Sequence, residues 1–125
     1  MKGGYVDGFV LVVPKKKLGV YRRMAQAAGK VWKKHGALDY KECVGDDLAP
    51  DMGGTPVMTF LKLAKPRRGE AVVFSYILYR SRAHRDAVNK KVMKEMMSDP
   101  KNKDMEMPFD TKRMAYGGFK VIAEA

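Results

Sequence analysis

A single α+β domain spanning residues 1–125 is the fold this chain predicts, with elements in the order β, α, β, β, α, β. Three observations predict it. Two runs, "YVDGFVLVV" and "AVVFSYILY", are apolar at nearly every position, as strands covered on both faces are. A basic segment after each run carries apolar residues at spacings of three and four, the pattern of a helix packed along one stripe. With 125 residues, 46% hydrophobic and 31% charged, the chain can bury one core without staples and fits neither disorder nor a membrane protein.

The first strand runs from Tyr5 to Val13 and is closed by Pro14 and three lysines. The helix that follows has Leu18, Tyr21, Ala25, Ala28, Trp32 and His35 on its inner stripe, and Arg22, Arg23, Gln26, Lys30, Lys33 and Lys34 on its outer face. Gly36 is placed to cap it. In the next strand Leu38, Tyr40, Glu42 and Val44 alternate with Asp39, Lys41 and Cys43, the pattern of an edge strand with one wetter side. Residues 49–69 then read as a long connection with an extended patch at Val57 to Leu63. In the third strand Val73, Ser75, Ile77 and Tyr79 share one face, and Val72, Phe74, Tyr76 and Leu78 the other. Ser81 caps a second helix from Arg82 to Ser98, with Val88, Val92 and Met96 inward and Arg85, Asn89, Lys90 and Lys94 outward. Asp99-Pro100 ends it, and a charged stretch leads to a last strand at Tyr116 to Ala123.

This order fits a ferredoxin-like βαββαβ unit, a four-stranded antiparallel sheet with two helices on one face and the first and third strands central. The helices cover only one side of those strands. Exposing the other would cost on the order of 10 kcal/mol at about 25 cal/mol per Å² of apolar area, so the pattern predicts a homodimer packed sheet against sheet. An insertion from the 49–69 loop is the competing cover.

The stretches "YVDGFVLVVP", "WKKHGALDYKECVGDD", "SRAHRDAVNKKVM" and "MPFDTKRMAYGGF" together resemble the YbaA-like family of conserved uncharacterised bacterial proteins. The resemblance runs from the beginning to the end of the chain. It implies the dimeric α+β barrel version of the ferredoxin-like fold. It implies no reaction and no catalytic residues, and likeness to the wider superfamily of small monooxygenases, isomerases and effector-binding modules is an analogy of fold alone.

The net charge of +11 favours anions, acidic partners or nucleic acid. Residues 1–41 hold ten Lys or Arg against two acids, mostly on the first helix, whose basic face of Arg22, Arg23, Lys30, Lys33 and Lys34 is the candidate for RNA binding. No aromatic residue interleaves with those cations, and no nucleic-acid signature accompanies them. The single Cys43, beside Glu42, reads as inert and excludes a thiolate metal cage; two scattered histidines predict no metal, and no phosphate loop or nucleotide cofactor motif is present. No apolar run reaches the roughly 20 residues of a membrane span and no leader pattern opens the chain, so the expectation is a cytoplasmic protein with no cofactor.

The residues expected at a small-molecule site, in the cavity formed by the sheet and the dimer, are Asp7, His35, Tyr76, His84 and Arg85. Asp7 shares a strand face with Tyr5, Phe9, Leu11 and Val13, where a carboxylate needs a partner: either an ion pair or a pocket that raises its pKa. His84 and Arg85, with Arg82, stand in the first turn of the second helix, where an anion is favoured and His84 tends to stay neutral. His35 near the end of the first helix gains from the dipole when protonated. Whether the protein is an enzyme is left open by all of these.

Overall fold

A computed structural model describes residues 3–125. Its strands are β1 (Tyr5–Pro14), β2 (Asp39–Val44), β3 (Glu70–Tyr79) and β4 (Ala115–Lys120); its helices are α1 (Leu18–Lys34), a short α2 (Phe60–Ala64) and α3 (Arg82–Ser98). The sheet is antiparallel throughout in the order β2-β3-β1-β4, so the two doubly apolar strands are the central ones. This is the ferredoxin-like α+β arrangement that the residue pattern predicts.

Register explains which side chains meet. Tyr5 lies opposite Tyr79, Asp7 opposite Ile77 and Leu11 opposite Val73, which puts all six on the face that carries α1 and α3. The core on this face has two parts. Tyr5, Ile77 and Tyr79 pack under Val88 and Val92 of α3, and Leu11, Val13 and Val73 pack under Tyr21 and Ala25 of α1. Phe109, from the segment after α3, closes the second part edge-on to Tyr21 at 5.7 Å. Ser81 Oγ accepts the His84 backbone N–H at 3.1 Å and so caps α3, while Gly36 follows α1 with φ +115°.

Three local expectations are corrected. The 57–63 patch is not extended: Thr59 Oγ1 accepts the Lys62 N–H at 3.2 Å, and this cap turns Phe60–Ala64, a run of good helix formers, into α2. Arg85 and Asn89 do not face outward. Buried polar partners on the sheet and on α1 draw both side chains beneath α3. The last strand ends at Lys120, because its ladder partner β1 begins at Tyr5, and one further bond, Val121 N–H to Gly4 O at 2.9 Å, closes the pairing.

On the opposite face α2 packs against β1 and β3 near their Val12–Val72 pair, both buried, with Phe60 edge-on to Phe74 at 6.3 Å. The loop therefore covers one end of this face. Beyond it Phe74 stays 43% and Phe119 62% exposed.

Candidate functional site

Two carboxylates stand on the helix-side face of the sheet, and each is held by a different kind of partner. Asp7, on the central strand β1, is 1% exposed. Arg85 Nη1 donates to its Oδ1 at 2.8 Å and to the Tyr116 hydroxyl at 3.0 Å, while Nε donates to Asp86 at 2.8 Å. The guanidinium also lies 5.0 Å over the Tyr5 ring, a cation–π contact. Burial is the largest influence on the Arg85 charge and works against it, but Asp7 together with Tyr116, Asp86 and Tyr5 outweighs burial and the guanidinium pKa is raised. The Tyr79 hydroxyl is pushed up by burial and by the Asp7 charge, and it donates to Asn89 Oδ1 at 3.1 Å. Trp32 Nε1 donates to the same oxygen at 3.0 Å.

The second glycine of "YGGF" belongs to this cluster. Gly118 pairs with Asp7 across the ladder, and a Cβ there would stand 2.7 Å from Cε2 of Tyr5. A side chain at 118 and the Tyr5 ring exclude one another. Phe9 stacks on Tyr116 at 4.7 Å and flanks the pair on the β4 side.

The second carboxylate is Glu42, on the edge strand β2. Tyr21 of α1 donates to its Oε1 at 2.6 Å, and Tyr40 to its Oε2 at 2.8 Å. Both phenols are raised in pKa; burial is the main cause, and the Glu42 carboxylate adds to it. Gly29 lets the two elements approach, since a Cβ there would stand 2.7 Å from the Tyr40 ring. Glu42 lines a groove of about 670 Å³ between α1 and β2, whose α1 wall carries Arg22, Lys30 and Lys33. Lys33 donates to Leu38 O at 2.8 Å, whereas the Arg22 and Lys30 side chains have no ion-pair partner among the described residues. Glu42 likewise has no cation in contact among them.

Of the five residues expected at a site, the fold brings Asp7 and Arg85 into direct contact. His84 stands one layer away, edge-on to Tyr79 at 6.0 Å, and its Nδ1 accepts the Arg80 backbone N–H at 3.0 Å. Its pKa is lowered, first by burial and then by Arg80 and Lys91. His35 is elsewhere, 2.9 Å from Glu95 of α3, a carboxylate that Lys34 also engages and that these contacts hold below its ordinary pKa. Tyr76 is on the other face of the sheet, donating to Asp39 Oδ2 at 2.9 Å. No three His, Cys, Asp or Glu among the described residues gather as a metal ion would need.

Sequence reasoning missed Tyr21, Tyr40 and Glu42 as a unit, although the signal was present. Alternation put Glu42 on the apolar side of β2 with Tyr40, and Tyr21 was on the inner stripe of α1. Two polar tips on surfaces that must meet are a pairing waiting for a register.

Residues 4–111 match the model of a family described as a protein of unknown function, DUF1428. The chain belongs to that family. It is 47% identical over 122 residues to the uncharacterized protein YbaA of Escherichia coli strain K12 and equally to that of Shigella flexneri, covering 96% of this chain and 97% of each relative. Among solved structures it resembles a dimeric ferredoxin-like protein from an uncultured marine organism, with a TM-score of 0.56 and 10% identity over 98% of this chain and 99% of that one. That likeness concerns the fold. No helix among the described residues is long and apolar enough to cross a membrane.

Proposed function

We propose that this member of the DUF1428 family is a cytoplasmic homodimer that binds a small molecule in the groove between α1 and β2. The ligand carries an anionic group for Arg22 and Lys30 and a hydrogen-bond donor for Glu42, as an α-amino acid or another small zwitterion does. The observation that carries this reading is Glu42: both its oxygens are fixed by neutral hydroxyls, so its charge is oriented without being neutralised. Facing it across open space are two cations without ion-pair partners among the described residues. Separated, preorganised charges of opposite sign suit a ligand with both signs.

The Asp7–Arg85 pair is not the site: its charges meet at 2.8 Å inside the protein, and it serves as a filled polar core that holds α3 on the sheet. The dimer rests on Phe74 and Phe119, which with their neighbours leave an apolar face that α2 covers only in part. RNA binding along α1 is the weaker reading, because Lys33 and Lys34 are already committed to Leu38 and Glu95.

The test has two arms. Light scattering at micromolar concentration should give twice the chain mass, and Phe119→Glu should return a monomer. Native mass spectrometry and thermal shift against a panel of α-amino acids, dicarboxylates and sugar phosphates should find a saturable binder whose affinity falls at least tenfold in Glu42→Gln and in Arg22→Ala/Lys30→Ala. A panel without a saturable hit, or a hit indifferent to those substitutions, removes the groove from consideration.

A further inference from the structure

We propose a second site, separate from the groove, at the end of the sheet where β1 stops and β3 starts: a nook that takes a compact polyphosphate, two or more linked phosphates with no recognition of a base. Two basic runs, Lys15–Lys17 and "KPRR" at 65–68, are about fifty residues apart in the chain. The fold brings them together. Pro14 lies opposite Glu70 at the end of the ladder, and the Lys15 N–H donates to Gly69 O at 2.8 Å. Between the two turns is an open surface hollow of about 530 Å³ whose charged lining is Lys15, Lys16, Arg67, Arg68 and one carboxylate, Glu70.

That carboxylate is already engaged. Arg113 grips it with two parallel bonds of 2.8 and 2.9 Å, and the Arg67 backbone N–H donates to it at 2.6 Å. None of the four lining cations has an ion-pair partner among the described residues. Four like charges held around one space repel one another, and an anion with several charges relieves that repulsion. Arginine forks and lysine ammonium groups match phosphate oxygens in geometry and charge.

The turn next to the nook is ordered by the same arginine. Lys65, which ends α2, has φ +50°, the only positive φ outside glycine among the described residues. Glycine is the usual residue at such a helix end, and a side chain there costs about 1 kcal/mol. The chain instead holds a lysine outside the nook's lining, and Arg113 steadies that turn by donating to Lys65 O at 3.2 Å. One arginine thus neutralises the nook's acid and orders the strained turn beside it. No aromatic side chain lines the nook, which favours a compact phosphate group over single-stranded nucleic acid with its need for stacking surfaces.

The experiment is isothermal titration of the full chain with inorganic tripolyphosphate, in metal-free buffer, at 50 and 300 mM NaCl. The expected result is one saturable site per chain whose affinity falls about tenfold or more at the higher salt. Arg67→Ala/Arg68→Ala should lower affinity at least tenfold with the urea midpoint unchanged, because both residues are exposed. Arg22→Ala/Lys30→Ala, which alters the groove, should leave tripolyphosphate binding unchanged. The proposal is overturned by the absence of saturable binding at 50 mM NaCl, by equal losses in the two double variants, or by a 20-nucleotide RNA that binds tenfold more tightly than tripolyphosphate.

Discussion

Asp7 and Glu42 lie on the same face of the same sheet, yet one is enclosed and the other open. Asp7 is on a central strand beneath α3, where the surroundings exclude water, so only a cation and hydrogen-bond donors make its charge tolerable. Glu42 is on the edge strand, lining the groove between α1 and β2, and tyrosine hydroxyls suffice to orient it. Position in the sheet decides the kind of partner. The partner in turn decides whether a carboxylate is a structural element or an available charge.

The sharpest way to break this contrast is Asp7→Ala, which removes the buried counterion of Arg85, leaves only the exposed Asp86 beside it and should cost about 3–5 kcal/mol by urea unfolding. The paired change Asp7→Leu/Arg85→Met should recover most of that loss, since it removes both charges together. A loss below about 1 kcal/mol in the single variant would mean that Arg85 reaches solvent instead. Gly118→Ala acts on the same cluster by crowding, and its Cβ against the Tyr5 ring should cost about 1–3 kcal/mol. On the open side the effects are smaller. Tyr21→Phe, which removes one hydroxyl from Glu42, should cost about 0.5–1.5 kcal/mol, and Glu42→Gln less than about 1 kcal/mol. A Glu42→Gln loss as large as that of Asp7→Ala would erase the distinction.

The pH dependence sharpens the comparison from a third carboxylate. Arg113, with help from the Arg67 N–H, holds the Glu70 pKa down at about 2 against an ordinary 4.5. A carboxylate depressed on folding contributes stability that is present above its unfolded pKa and disappears as pH falls toward the folded one. The urea midpoint should therefore drop between pH 5 and pH 2 in the parent protein, and drop less over that interval in Arg113→Met. Parallel curves for the two proteins would remove the ion pair from acid stability.

Much of the fold was legible because each element carries its own local pattern. β1 and β3 follow from near-continuous apolar runs and α1 and α3 from spacings of three and four residues, and Ser81 and Asp99-Pro100 mark the ends of α3. α2 was not legible, because five residues are too few for a period and the deciding contact is one threonine hydroxyl. Less of the sites could be read. Asp7 was recognisable as a carboxylate needing a partner, but Arg85 and Asn89 looked like outward polar residues, although positions 85, 88, 89 and 92 fall on one helical stripe. A stripe with polar members is read as surface unless the facing strand is known to offer polar partners.

The sequence by itself determined the four strands, the two long helices, the central place of β1 and β3 and the basic excess of the chain, because these depend on neighbours within a few residues. Tertiary structure decided the rest. Asp7 meets Arg85 from 78 residues away, Glu42 meets Tyr21 from 21 residues away, and Lys15 meets Gly69 only through the β1–β3 ladder. These pairings arise from strand register and helix placement, which are settled by how the whole core packs and by no local signal. Local chemistry chose the elements, and packing chose which of their polar tips would meet.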